Sequence, residues 1–251
     1  MCPIQLTVEN NNLNVSNINI YTNNTTIKTT REIGSTAKGD LHTGGFIGYA
    51  SGSKFSNIGL YYNDSIIKAE SLSYEAKNDD TNTNSAFCGG FAGELVSNSS
   101  LTNIEFASYN KFNFEIIGTT TNLESIQNTI PGGGDYKGEN YIGGIVGRIK
   151  YTAIDNCRFI GSTTYKNSIK MSGHESPDSA FLGGIVGLVM MNANGVPSSV
   201  KNCKVSYTDV IGTATCINTS YGNPDIYIGG IIGAAYIHDT NVTIEVSNCR
   251  L

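Results

Sequence analysis

A short glycine-rich motif that occurs five times is the feature that most constrains this chain. Each copy has the form Gly-Gly-apolar-apolar-Gly, and the copies begin at Gly44, Gly89, Gly143, Gly183 and Gly229. Successive copies are therefore 45, 54, 40 and 46 residues apart. Self-similarity at such a period is typical of repeat proteins, in which stacked units bury a continuous core that one unit alone does not bury.

A second motif, with the form apolar-x-Asn-apolar-x-apolar, follows each glycine motif. Its asparagines are Asn57, Asn103, Asn156, Asn202 and Asn248. A third, weaker apolar segment and a polar loop complete each unit. Three strand-length segments per unit and the absence of a helical period predict an all-β fold. The specific prediction is a parallel β-solenoid of about five to six coils, with three short strands per coil.

The repeats run nearly from end to end, which predicts a single domain over residues 1–251. Within it, residues 1–43 form an atypical first unit and residues 44–251 hold the five glycine repeats. Polar loops that absorb the unequal repeat lengths are predicted at 31–40, 75–84, 119–139 and 192–197. Because no capping change follows Asn248, we expect a segment of a longer solenoid or a chain that associates end to end.

The second motif predicts a bend at each asparagine. Its apolar residues at −2 and +1 would lie on opposite faces of a flat strand. Asn readily adopts the left-handed backbone conformation that restores both to the interior. Stacked asparagines also pair their side-chain amides, so the five form a predicted structural ladder rather than a set of ligand contacts.

The glycine motif also has a structural interpretation. Glycine either allows two stacked backbones to approach closely or supplies a residue with positive φ. The motif lacks the Lys-Ser/Thr of a phosphate-binding loop and precedes no helix, so no nucleotide site is predicted.

Three of the six cysteines fill one repeat position. Cys157, Cys203 and Cys249 each follow a motif asparagine, where earlier units hold Ile18, Ile58 and Ile104. A position that alternates between Ile and Cys is an apolar interior site, so these thiols are predicted to be buried and unbridged. No Cys-x-x-Cys pair occurs, and neither a zinc site nor any other metal or cofactor is predicted.

The residues two positions after the last three motif asparagines are all basic: Arg158, Lys204 and Arg250. Stacking would place them in one row, where like charges repel. Three explanations fit the sequence: carboxylates such as Asp155 offset the row, an anionic ligand such as an acidic glycan binds it, or solvent alone screens it.

Several function classes find no support. The net charge is −5, without the clustered Lys and Arg that nucleic-acid binding needs. No run of 18 apolar residues predicts a transmembrane segment, and no signal peptide is visible. His42, His174 and His238 occupy different repeat positions, no nucleophile elbow occurs, and no carboxylate pair is evident, so no catalytic residue is named.

Gly143-Gly144-Ile145-Val146-Gly147, followed by Asn156-Cys157, resembles the GLUG-motif repeats of large bacterial and protist surface proteins. Together with Phe55-Ser56-Asn57, the motifs are more weakly similar to the repeats of chlamydial polymorphic membrane proteins, without their characteristic alanine. The resemblance covers roughly residues 44–251. It implies a surface or secreted adhesion-type module and transfers no catalytic residue.

The leading hypothesis is a non-enzymatic, adhesin-type stalk or binding segment at the cell surface or outside the cell. Its partner would be a glycan or a host or cell-surface protein. Two alternatives remain open. One is a carbohydrate-active enzyme, a polysaccharide lyase or hydrolase built on a β-helix, and the other is an intracellular structural or filament protein.

Overall fold

A computed structural model describes residues 7–8, 13–31, 40–63, 65–73, 85–108, 114–122, 139–161, 167–174, 179–191, 197–214, 225–237 and 243–251. These residues form strands and connecting turns, and no helix occurs among them. Every strand pairing within the described ranges is parallel. The prediction of an all-β chain with parallel strands is confirmed at this level.

The strands belong to four sheets, which the chain visits in the order I, II, III, IV. Sheet I contains β4 (Leu41–Gly44), β8 (Ala86–Gly89), β12 (Asn140–Gly143), β17 (Ala180–Gly183) and β22 (Ile226–Gly229). Sheet II contains β1 (Thr7–Val8), β5 (Ile47–Ser51), β9 (Ala92–Val96), β13 (Val146–Lys150), β18 (Val186–Met191) and β23 (Ile232–Ile237).

Sheets III and IV follow the second motif and the weaker apolar segment. Sheet III contains β2 (Asn14–Asn23), β6 (Lys54–Asn63), β10 (Ser100–Ser108), β14 (Ala153–Asp155), β15 (Arg158–Ile160), β19 (Ser199–Lys201), β20 (Lys204–Ser206) and β24 (Glu245–Ser247). Sheet IV contains β3 (Thr26–Arg31), β7 (Ser65–Ser73), β11 (Phe114–Asn122), β16 (Asn167–His174) and β21 (Asp209–Ala214).

Neighbouring strands in each sheet are equivalent segments of successive repeats, in register. Val146 pairs with Val186, and Val186 pairs with Ile232. Gly143 aligns with Gly183 in the same way. The atypical first unit contributes β1, β2, β3 and most of β4, so it joins all four sheets. The sequence repeat is therefore also the period of the strand pairing.

The glycine motif differs from its prediction, because it contains two strands rather than one. In the third copy β12 ends at Gly143 and β13 begins at Val146, so each repeat has four strand positions instead of three. A Cβ on Gly144 would lie 2.1 Å from the carbonyl oxygen of Gly184. No described glycine of the motif has a positive φ. Close backbone approach, rather than unusual dihedral angles, therefore accounts for these glycines.

Two of the predicted loops overlap strands at their N-terminal ends. Strand β3 extends to Arg31 and β11 extends to Asn122, so the segments predicted as loops at 31–40 and 119–139 begin within strands. The predicted loop at 75–84 lies outside the described residues, as does most of the loop predicted at 192–197.

One hydrophobic cluster receives side chains from all four sheets. Its largest members include Phe55, Phe91, Phe106 and Phe159, which are almost completely buried. Rings of equivalent positions stack on each other, as Phe106 and Phe159 do with centroids 5.2 Å apart. The core is thus a continuous column that runs through successive repeats.

The prediction of buried, unbridged thiols holds for Cys157 and Cys203, whereas Cys249 is unbridged but only partly buried. Cys157 and Cys203 are buried, Cys249 is half-buried, and all three are free thiols. Burial raises the pKa of the Cys157 thiol well above its usual value. The interior position therefore keeps this sulfur in its neutral, poorly reactive form.

Candidate functional site

The motif asparagines form a corner in sheet III. All have left-handed backbone angles, from φ 50° at Asn156 to φ 55° at Asn103, and Asn17 of the first unit joins them at φ 59°. The corner turns the apolar neighbours on both sides of each asparagine toward the core. Ile154 and Cys157, which flank Asn156, are both fully buried. The sequence folds this way because Asn tolerates this conformation better than other residues with a side chain.

The side-chain amides of four of these asparagines are hydrogen bonded in series. Asn57 Nδ2 donates to Asn17 Oδ1 at 3.1 Å, and Asn103 Nδ2 donates to Asn57 Oδ1 at 2.8 Å. Asn156 Nδ2 donates in turn to Asn103 Oδ1 at 2.7 Å. Each amide in the middle of the series both donates and accepts, so the corner is held by side chains as well as by backbone pairing.

The amide series changes partner at the next repeat. Asn202 Nδ2 donates to Asp155 Oδ1 at 2.7 Å rather than to Asn156. No amide hydrogen bond from Asn248 occurs within the described residues. The five predicted ladder residues thus share one corner, but the structure links only Asn57, Asn103 and Asn156 directly through their amides.

The basic residues lie in one row on the outer face of sheet III. Arg158 pairs in register with Lys204, and Lys204 forms a parallel bridge with Arg250. All three side chains are exposed. Neighbouring strands are about 4.8 Å apart, so the row presents one cation per strand along the stacking direction. We call these three residues the basic row.

Two carboxylates near the basic row have other partners. Asp155 accepts a hydrogen bond from Asn202, and Glu245 forms an ion pair with Lys201 at 2.6 Å. Within the ranges that the structure describes, none of the three row residues forms an ion pair. Offset by ion pairing with Asp155 or Glu245 thus has no supporting contact among the described residues.

A carboxylate terminates the row on its other side. Glu105 aligns with Arg158 on the neighbouring strand, and Gly59 and Asn19 continue the same line in earlier repeats. Burial and, after it, the nearby charge of Glu105 raise the pKa of Tyr61. The row therefore changes sign at Glu105.

A second cluster, which the sequence analysis did not identify, lies on the outer face of sheet I. Five aromatic rings from successive repeats stack there nearly in parallel: His42, Phe87, Tyr141, Phe181 and Tyr227. Their centroids are 4.6 to 5.4 Å apart. We call this set the ring ladder. It packs with Leu188, Met190 and Ala234 from the outer face of sheet II.

An ion pair is buried against the ring ladder. Arg148 donates from Nε and a terminal nitrogen to Glu94 Oε1, at 2.8 and 2.6 Å. Its guanidinium carbon lies 4.3 Å from the centroid of Phe87 and 5.0 Å from that of Tyr141. His42 Nδ1 lies 3.5 Å from Glu94 Oε2. The cluster combines a charge-assisted hydrogen bond with cation–π contacts.

Burial shifts the pKa values of two side chains in this cluster. Burial, aided by the charge of Arg148, lowers the pKa of His42 to about 4. Burial raises the pKa of Glu94, although Arg148 opposes that shift. At neutral pH the imidazole is therefore uncharged.

One sequence signal marks the ring ladder. An aromatic or histidine residue occurs two positions before the Gly-Gly pair of every glycine motif, with both of its neighbours mostly apolar. Strands that are apolar on both faces are normally covered on both faces. The pattern thus predicts a covered outer face, but which segment covers it depends on how sheets I and II meet.

Among the described residues, no group of three or more His, Cys, Asp or Glu side chains is placed to hold a metal ion. None of the described segments is a helix with the length and apolar character needed to cross a membrane. Comparisons with protein-family profiles, with curated proteins and with solved structures each find no match.

Proposed function

We propose that the four sheets form a parallel β-solenoid of about five to six coils, each coil being one sequence repeat. Two observations support this architecture. Equivalent strands of successive repeats pair in register in every sheet, and β11 of sheet IV contacts both β8 and β12 of sheet I. Such a stack would expose one equivalent residue per coil on each outer column.

We propose further that the chain is a non-enzymatic, adhesin-type binding segment of an extracellular or cell-surface protein. The resemblance of its motifs to GLUG repeats supports this location. The basic row supports a binding role, because three stacked like charges repel each other and have no ion-pair partner among the described residues. A bound polyanion would remove that repulsion.

An acidic glycan is the partner that this surface favours. Carboxylate or sulfate groups on a linear polymer can contact several repeats at once, and Arg binds such groups through two parallel hydrogen bonds. The chain has a net charge of −5, so its surface away from the basic row would repel nucleic acid.

The direct test is a glycan array probed with the intact chain. A triple variant, Arg158→Gln with Lys204→Gln and Arg250→Gln, should lose every acidic-glycan signal. A control with the same charge change, Lys28→Gln with Lys54→Gln and Lys170→Gln, should retain it. Equal signals from the two variants would refute a role for the basic row, and an array without acidic hits would refute the function.

One observation favours a second candidate, a carbohydrate-active enzyme. Glu94 is buried with a raised pKa beside His42, and such perturbed groups cluster at catalytic sites. A polysaccharide screen with reducing-end detection tests it, with Glu94→Gln as the inactive control. If the wild-type chain releases product and Glu94→Gln does not, the enzyme function would be favoured over the binding function. Equal product from the wild-type chain and Glu94→Gln would exclude Glu94 as the catalytic acid.

A further inference from the structure

We infer that the basic row selects a polyuronate, a glycan with one carboxylate on every sugar ring, and that Glu105 limits the contact to three rings. This inference deepens the proposed function and rests on it. Two features carry it: the spacing of the three cations, and the change of sign at the next position of the row.

The spacing restricts the ligand first. The row offers one cation per strand, about every 4.8 Å along the stacking direction. A polyuronate carries one carboxylate on every ring, so three consecutive rings supply one carboxylate for each cation. A glycan with a carboxylate on alternate rings would meet only every second cation.

The residue types match carboxylates in particular. Arg158 and Arg250 stand at the two ends of the row, and their planar guanidinium groups bind a carboxylate with two parallel hydrogen bonds. Lys204 between them supplies a compact charge with rotatable donors, which tolerates small differences in ring orientation.

Glu105 sets the length of the contact. It aligns with Arg158 on the next strand, where a fourth carboxylate of the ligand would have to lie. Two carboxylates directly opposite each other repel. Affinity should therefore rise from one to three rings and gain little from a fourth.

Calorimetric titration of the intact chain with galacturonate oligomers of one to five rings tests the inference. We expect the trimer to bind at least tenfold more tightly than the monomer, and the tetramer to match the trimer. The salt dependence should correspond to about three released counterions. Hyaluronate hexamer, which also has three carboxylates, and a fully methyl-esterified galacturonate trimer serve as ligand controls.

Two sets of variants sharpen the test. The triple Gln variant of the basic row should lose at least tenfold in trimer affinity, while the triple lysine control should be unchanged. Glu105→Gln preserves the size of the side chain and removes the charge, so it should allow the tetramer to bind more tightly than the trimer. Circular dichroism confirms that each variant remains folded.

The outcomes separate the two proposals. If hyaluronate hexamer binds as well as the galacturonate trimer, the spacing argument is wrong while the acidic-glycan function stands. A tetramer that gains equally in wild type and Glu105→Gln overturns the role of Glu105. If no acidic glycan binds the wild-type chain, the proposed function fails and this inference fails with it.

Discussion

At the scale of single residues, the asparagine corner shows how one side chain meets two requirements. The backbone must adopt a left-handed conformation to turn apolar neighbours inward, and the exposed amide must find partners. Asn103 does both, because its φ is 55° and its amide donates to Asn57 and accepts from Asn156. A residue that met only one requirement would weaken the corner.

We therefore expect Asn103→Ala to lower the free energy of unfolding by about 2–3 kcal/mol. The left-handed conformation costs an Ala residue about 1–2 kcal/mol, and the lost amide bonds add about 1 kcal/mol. Asn103→Gly loses the same bonds without the conformational cost, so it should be the more stable of the two variants. Urea denaturation measures both, and equal stabilities would contradict the strain argument.

The lowered pKa of His42 predicts how the free energy of unfolding depends on pH. Its pKa is about 4 in the folded chain and 6.5 when unperturbed, so between these values the unfolded state binds more protons. Stability from this group is therefore complete above pH 6.5 and is lost as the pH falls toward 4. The loss from His42 alone is about 3 kcal/mol.

The variant His42→Gln isolates this effect. The raised pKa of Glu94 gives the opposite slope, but Glu94 is present in both proteins. Denaturation midpoints at pH 7 and pH 4.5 should thus fall further for wild type than for His42→Gln. The same drop in both proteins would show that the imidazole is not desolvated.

At the scale of elements, the pair formed by Glu94 on β9 and Arg148 on β13 occupies one column of sheet II. The next strands of this column carry Leu188 and Ala234. Glu94 is only 4% exposed, so its charge depends on Arg148 for compensation. Because the column holds apolar residues in the next repeats, apolar side chains can replace Glu94 and Arg148 if both are replaced together. Replacing Arg148 alone would leave the Glu94 charge without compensation.

Arg148→Met should therefore destabilise the chain by about 3–5 kcal/mol, because it leaves the buried Glu94 charge without a partner. The double variant Glu94→Leu with Arg148→Leu should be within about 1 kcal/mol of wild type, since apolar replacement of a buried pair is often neutral. Guanidinium denaturation compares them. A double variant as unstable as Arg148→Met would assign the pair a stabilising role of its own.

The elements also show what the sequence could predict. Repeat period, strand register and the corner at Asn156 follow from motifs whose chemistry is local. The split of the glycine motif into two strands depends on contacts between repeats, such as Gly144 against Gly184, which one unit does not contain. The ring ladder and Glu94 escaped prediction because their burial depends on two sheets meeting at that split.

At the scale of the whole molecule, in-register stacking turns a sequence repeat into a linear array. A residue type that recurs at one motif position appears as a row at strand spacing. The same geometry builds the core from Val146 and Val186, the amide series from asparagines, and the basic row from cations. The stacking direction is thus the axis along which a linear ligand would find repeated contacts.

The last described repeat exposes apolar side chains whose equivalents are buried. Ile228 is 48% exposed while its partner Leu182 is 0%, and Val246 is 49% exposed while its partner Val200 is 0%. Strands β22, β23 and β24 each lie at the edge of their sheet. Such an edge offers backbone groups and apolar surface to another chain.

We therefore expect the chain of residues 1–251 to associate through this face with a second copy, and sedimentation velocity to show a coefficient that rises with concentration. Ile228→Lys with Val246→Lys should reduce the association, because a charged edge resists pairing. Ile66→Lys changes an exposed isoleucine of β7 and should associate like wild type. A wild-type chain that stays monomeric at every concentration, or a double variant that associates unchanged, would show that the exposed face does not mediate self-association.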